Sequence, residues 1–289
     1  MSGPVPGSPE WIRLVTASKA GPIIGVSPWD SPRSMWHKMT TGEWDAETEA
    51  MRRGTLLEPA IVQWWIDRHP EATEVTTQTW HPLDDWAGAT PDAEAMIDDE
   101  RVLVEAKSAS RMDDWGDAGT DAIPATYLAQ AYFSLALSGA ARCYVPVIGP
   151  YLEFSEYVVE SNPEFERDIL ARCRTFYDSL AADEPPELDG HVATYNTVRK
   201  QHADIDDETV DLTQSDAHEF VASALALDAA ESRARLARST LLDLMGRAKR
   251  AEYAGAPVAR RQNAKHGVNL VRICKTTAAL TPKPKEIAS

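Results

Sequence analysis

Asp92, Glu105 and Lys107 are the residues of this chain best suited by type and spacing to do chemistry. Asp92 follows Thr90-Pro91, and twelve residues separate it from Glu105, a span that a β-hairpin closes by laying two carboxylates side by side. In Val102-Leu103-Val104-Glu105-Ala106-Lys107 the apolar run predicts a mostly buried strand. Its period of two sets Glu105 and Lys107 on one face with Leu103. Hard divalent cations take oxygen ligands, and phosphodiester hydrolysis needs a cation on the phosphoryl oxygens with an activated water beside it. A neighbouring lysine orients or deprotonates that water and offsets charge in the transition state. The plainer account is a solvated sheet face with one Glu–Lys ion pair, because a lone Asp and Glu-x-Lys recur by chance. The rest of the chain has to decide between the two.

Several elements must hold these groups. Residues 1–10, with three prolines and two glycines, predict a flexible tail. The segment from Trp11 to Ile24 predicts a short helix, capped at Thr16 or Ser18 and stopped by Gly25. Ser18 at a helix start, with Arg13 nearby, is either an ordinary cap or a phosphate site. Ser31-Pro32 starts a second helix that runs to Gly42. Asp45 to His69 is helical by pattern, with Leu57, Ile61 and Trp65 on one stripe, Glu58 beside it, and Pro59 predicting a kink or restart. A strand at 73–80 leads through a Pro- and Asp-rich turn into the central hairpin. Ile123-Pro124 opens a helix that sets Tyr127, Gln130, Ala131 and Ser134 on one face and stops at Gly139. Strands at 142–148 and 151–159 and a helix capped by Asn162 follow.

The break in composition at Asp183-Glu184-Pro185-Pro186 predicts a boundary there, giving a core at 11–185. Residues 186–275 then form a helical arm and a basic β-hairpin turning at 263–267, and 276–289 a disordered tail. Three scattered cysteines argue against a disulfide framework or a zinc ribbon. No apolar run is long enough to span a bilayer, so a cytoplasmic protein with no membrane partner is expected. The net charge of −16 speaks against a nucleic-acid partner, but its distribution softens that. Residues 246–289 hold ten Lys and Arg against two Glu, and residues 11–40 hold four against one Asp.

Five segments in order resemble one family, the YqaJ-like viral recombinases, relatives of the phage lambda exonuclease within the PD-(D/E)xK nuclease superfamily. They are Thr16-Ala17-Ser18 with Ile24-Gly25-Val26-Ser27-Pro28-Trp29 and Ser31-Pro32, Arg53-Gly54-Thr55-Leu56-Leu57-Glu58-Pro59, Thr90-Pro91-Asp92, Val104-Glu105-Ala106-Lys107, and Ile123-Pro124 with Tyr127-Leu128-Ala129-Gln130. The resemblance covers roughly residues 11–160 and implies an α/β fold, a mixed central sheet flanked by helices. It implies a Mg²⁺-dependent exonuclease acting 5′-to-3′ on linear double-stranded DNA, leaving 3′ single strands for an annealing protein. Two Mg²⁺ per site are implied, with Mn²⁺ able to substitute. Asp92, Glu105 and the main-chain carbonyl of Ala106 would hold one ion, and Glu58 with Asp92 the other. Lys107 would activate the water, Gln130 would help orient it, and Ser18, with Thr16, Arg13 and Tyr127 around it, would grip the 5′ phosphate. Relatives form closed rings, so a homo-oligomer is expected. A nuclease-like scaffold that binds without cutting, and a structure-specific endonuclease, are the alternatives.

Overall fold

Ser8 caps the first helical turn of the computed structural model, which describes residues 3–273, by accepting from the Trp11 N–H at 3.2 Å. That turn, α1 (Pro9–Arg13), already departs from the expected tail over residues 1–10, of which residues 1 and 2 lie outside the described chain. The single helix expected from Trp11 to Ile24 is also broken. Leu14 is extended, β1 (Val15–Thr16) follows, and only then does α2 (Ala17–Ile23) begin. Tertiary pairing overrides local helical preference here, because the Val15 N–H is taken by the Trp86 carbonyl at 2.8 Å. In α3 (Pro32–Thr41) the expected start holds, with Ser31 and Ser34 forming a reciprocal capping box at 3.0 and 2.9 Å.

The fourth helix, α4 (Glu49–Arg68), runs through Pro59 without the expected restart. Pro59 and Thr55, whose carbonyl loses its helical partner, are both exposed, so solvent can satisfy the orphaned group. Then come β2 (Thr73–Thr77), β3 (His81–Leu83), β4 (Ala87–Ala89), β5 (Ala93–Ile97), β6 (Glu100–Val104) and β7 (Lys107–Ser108). After them come α5 (Ala125–Ser138), β8 (Arg142–Ile148), β9 (Phe154–Glu160), α6 (Pro163–Ala182) and α7 (Val192–Gln201). The strands β3 and β4, unforeseen in the Pro- and Asp-rich turn, pair with each other, and β4 pairs with β1, in a small separate sheet.

The main sheet runs β2-β5-β6-β8-β7 with β9 on the other side of β8, and it is mixed: β5 and β6 are antiparallel, β6 and β8 parallel. Parallel pairing demands a long crossover, which α5 supplies. Helices cover both faces, as the period of two requires. Leu103, Cys143, Val145 and Val147 join a core with α2, α3, α5 and α6, whereas Val102, Val104 and Tyr144 pack on Val62 and Trp65 of α4. This is the mixed sheet flanked by helices that was expected. Cys143 and Cys173 are buried free thiols, and among the described residues no helix is long and apolar enough to cross a membrane.

The first compact unit extends to Ile205, past the boundary expected near 185, and Asp206 begins the second. Helix α7 explains the shift: the Thr194 hydroxyl donates to Ser31 Oγ at 2.7 Å, and Arg33 donates to the Pro186 carbonyl at 2.9 Å. Within the second unit, α8 (Gln214–Met245) precedes a meander of β10 (Arg250–Tyr253), β11 (Ala256–Ala264) and β12 (Gly267–Arg272). The basic element is therefore three-stranded, its last turn tightened to Lys265-His266; residues 274 and 275 of the expected hairpin, and the expected tail at 276–289, lie outside the described chain.

Lys19 ties the N-terminal pieces together. Only 1% exposed, it donates to the carbonyls of Trp11, Ile12 and Leu14 at 2.6, 3.2 and 2.6 Å and sits 3.9 Å from the Trp11 ring centroid. Lys19→Met keeps the stem but strips three carbonyls of their donor. Chemical denaturation should show a loss of about 2–4 kcal/mol, since unmade buried hydrogen bonds are costly; an unchanged midpoint would refute the role.

Candidate active site

Ala93 of β5 pairs with Val104 of β6, so Asp92 and Glu105 are the next residues beyond the last pair at the open end of the hairpin. The closed end is a two-residue turn, Asp98-Asp99, with φ of +51° and +64° at the two positions, as this turn type demands. Strands β6 and β7 keep one register on β8, Val104 opposite Tyr144 and Lys107 opposite Val147, so Glu105-Ala106 is a short interruption in a single line of chain. There the Glu105 N–H donates to the Tyr144 carbonyl at 2.9 Å and the Ala106 N–H donates to Asp92 Oδ2 at 2.7 Å.

Glu105 lies on the Leu103 face of the sheet, under α5, and is 2% exposed. Its carboxylate takes three donors: Lys107 Nζ at 3.1 Å and Gln130 Nε2 at 2.7 Å on Oε2, and Ser134 Oγ at 3.2 Å on Oε1. Gln130 and Ser134 stand one helical turn apart, which is why both reach it. Each carboxylate oxygen thus has a fixed direction.

Electrostatics bind the cluster further. Burial first, and then the charge of Glu105, push Asp92 up to about 8. Glu58 is raised as well, by burial and by Glu105, with Lys107 opposing; its side chain also meets Gln78. Burial works against the Lys107 ammonium, yet Glu105 and Asp92 hold its pKa above the ordinary lysine value. Three carboxylates therefore feel one another across a site with one ammonium group. Among the described residues no three His, Cys, Asp or Glu side chains are gathered as a ready metal cage; Asp92 Oδ2 and both oxygens of Glu105 are turned to protein donors. The donor set still suits a hard divalent cation: all its side-chain ligands are oxygens, and the surplus negative charge is what such an ion would neutralise.

The structure brings some of the other expected residues to this cluster. Tyr127 places its ring 5.5 Å from Lys107 Nζ and packs on Trp115 at 5.6 Å. Thr16 is buried and Ser18 exposed, their hydroxyls 3.2 Å apart at the start of α2, and among the described residues no hydrogen bond joins either to the carboxylates. Arg13 does not join them. It lines a recess of about 500 Å³ with Glu10, Asp84 and Asp85. Ser134 is the contributor that residue types alone did not single out; its place four residues after Gln130 on the same helix face was the available signal.

Residues 11–141 match the model of the YqaJ-like viral recombinase domain. Similar solved structures include an alkaline exonuclease (LHK-Exo) from Laribacter hongkongensis, at 18% identity over 67% of this chain and 96% of that one, with a TM-score of 0.46. The same exonuclease in complex with dAMP gives 19% identity over 66% and 94%, also at 0.46. A phage-related exonuclease from Haemophilus somnus 129PT gives 11% identity over 59% and 96%, at 0.42. No match was found among curated proteins.

Two outcomes follow from this geometry. With its pKa raised to about 8 from an ordinary 3.8, Asp92 keeps a proton in the folded state that the unfolded chain releases. Its contribution to stability is thus complete below about pH 4 and is lost as pH rises toward 8. In chelator, Asp92→Asn should flatten the fall in melting temperature over that window and be more stable than the parent at pH 8 by about 1–2 kcal/mol; a destabilised variant there would overturn this account. Ser134→Ala frees one Glu105 oxygen, so Mn²⁺ affinity by titration calorimetry should weaken severalfold while Ser134→Thr restores it; an unchanged affinity would show that Ser134 only fills space.

Proposed function

We propose that this chain is a divalent-metal-dependent DNA exonuclease, acting 5′-to-3′ on linear duplex and leaving 3′ single-stranded ends for phage-type recombination. The observation that carries the reading is the hairpin register, which sets Asp92 beside Glu105 and leaves Lys107 Nζ 3.1 Å from the latter. Asp92, Glu105 and the Ala106 carbonyl would hold one Mg²⁺, and Glu58 with Asp92 a second. Such ions supply charge on the phosphoryl oxygens and a more acidic bound water.

The chain's own residues do the positioning. Gln130 and Ser134 hold the Glu105 carboxylate from α5, so it cannot swing when a phosphate arrives. Lys107 brings positive charge to the point where negative charge develops, and activates the attacking water there with help from Gln130. Tyr127, flanking Lys107, keeps that side of the site apolar. Ser18 and Thr16 offer hydroxyls for a 5′ phosphate, with Arg13 the more remote member of that group. The same reading includes a ring-shaped homo-oligomer, a single-strand annealing partner and a cytoplasmic setting.

A 5′-labelled linear duplex should be degraded from its labelled end only when Mg²⁺ or Mn²⁺ is present, with a closed circle spared. Lys107→Ala should slow turnover by about 100- to 1000-fold, the cost of one preorganised transition-state group. Equal cleavage of closed circles would make the protein an endonuclease instead, and undiminished turnover in Lys107→Ala would remove the proposed centre altogether.

A further inference from the structure

The second unit carries charge of the opposite sign to the chain as a whole. Residues 246–273 hold seven Lys and Arg against the single Glu252, in a protein of net charge −16. Arg247, Lys249, Arg250, Arg260, Lys265 and Arg272 are exposed. Among the described residues, ion pairs form elsewhere, at Lys38, Arg142, Arg174 and Arg235 for instance, and none includes these six or Arg261.

Strand register sorts them. Arg250 of β10 lies directly across from Arg260 of β11, so the two exposed guanidinium groups share one face of the sheet. Two residues along that face Gln262 lies across from Asn269, both exposed, and Lys265 stands at the turn beyond. Like charges placed opposite each other on a sheet repel, so this pairing gains nothing from folding and calls for an anion above it. Arg261 points the other way, with the buried Ala259 as its neighbour, and donates to the Gly246 carbonyl at the end of α8. It has a structural use; Arg260 reaches the side-chain oxygen of Gln262 along its own strand, but among the described residues no ion pair neutralises either guanidinium of the 250/260 pair.

We propose that this exposed face of the β10–β11–β12 sheet binds the phosphate backbone of double-stranded DNA, separately from the candidate active site. Guanidinium groups grip phosphate oxygens bidentately, and the amides of Gln262 and Asn269 add neutral hydrogen bonds along the same track. The arrangement fits sequence-independent binding, because nothing in it selects a base, and its strength depends on counterion release.

The test uses the full chain carrying Lys107→Ala, which leaves DNA uncut, and reads anisotropy of a labelled duplex over a range of KCl. Arg250→Gln with Arg260→Gln should weaken binding equally on unrelated sequences and lower the slope of log affinity against log salt by about 2, near one per lost phosphate contact. Arg250→Lys with Arg260→Lys should keep the slope. Lys265→Gln, outside the strands, should lower it by about 1 and serves if the double variant fails to fold. An unchanged affinity and slope in these variants overturns the proposal, and so does lost affinity at constant slope, which would point to a protein partner or a folding defect. Hydrolysis of linear duplex by the parent chain is scored separately, so the catalytic reading and this surface stand or fall independently.

Discussion

One ammonium group among three carboxylates, in a site mostly closed to water, is the constraint that shapes the rest of the first unit. Asp92 and Glu105 cannot both be comfortable as anions so close together without a counter-charge, and Lys107 supplies only part of it. The fold meets the remainder with dipoles: the Ala106 N–H, the Gln130 amide and the Ser134 hydroxyl each point at one of these carboxylates. Asp92 keeps its proton for want of counter-charge, and a bound cation could take the place of that proton.

Every element near the site can be traced to that demand. The hairpin brings the two acids together, the interruption at Glu105-Ala106 turns a main-chain N–H inward, and the crossover helix α5 returns over the sheet with its donors one turn apart. On the opposite face α4 packs through Val62 and Trp65 against β5 and β6, and the same helix carries Glu58 into the field of Lys107 and Glu105. Residues far apart in sequence thus share one electrostatic environment because both faces of the sheet are covered.

Much of this could be read from residue order, because the signals were local. An apolar run with period two marks β6, Asp98-Asp99 suits a tight turn, Ser31 and Asn162 cap their helices, and Gly42 and Gly139 end theirs in the left-handed conformation. What escaped depended on partners distant in sequence. Val15 and Thr16 leave a helical pattern because a strand at 87–89 claims them, Pro59 is tolerated because its orphaned carbonyl faces solvent, and α7 joins the first unit through a hydroxyl pair with Ser31. Within the site, the convergence of Asp92 and Glu105 was legible from hairpin arithmetic. Ser134 was placed on the Gln130 face but not singled out, since that face does not say which carboxylate lies opposite until the register of the neighbouring sheet is known.

Gly21 shows how closely two of these helices are fitted. A β-carbon there would fall 2.4 Å from the Thr126 hydroxyl and 3.2 Å from its Cα, so α2 and α5 touch almost backbone to backbone. No side chain separates the two helices at this point, and any larger residue in place of Gly21 would push them apart. The Ser18 hydroxyl at the start of α2 is thereby held at a set distance from the helix that aims the Gln130 amide.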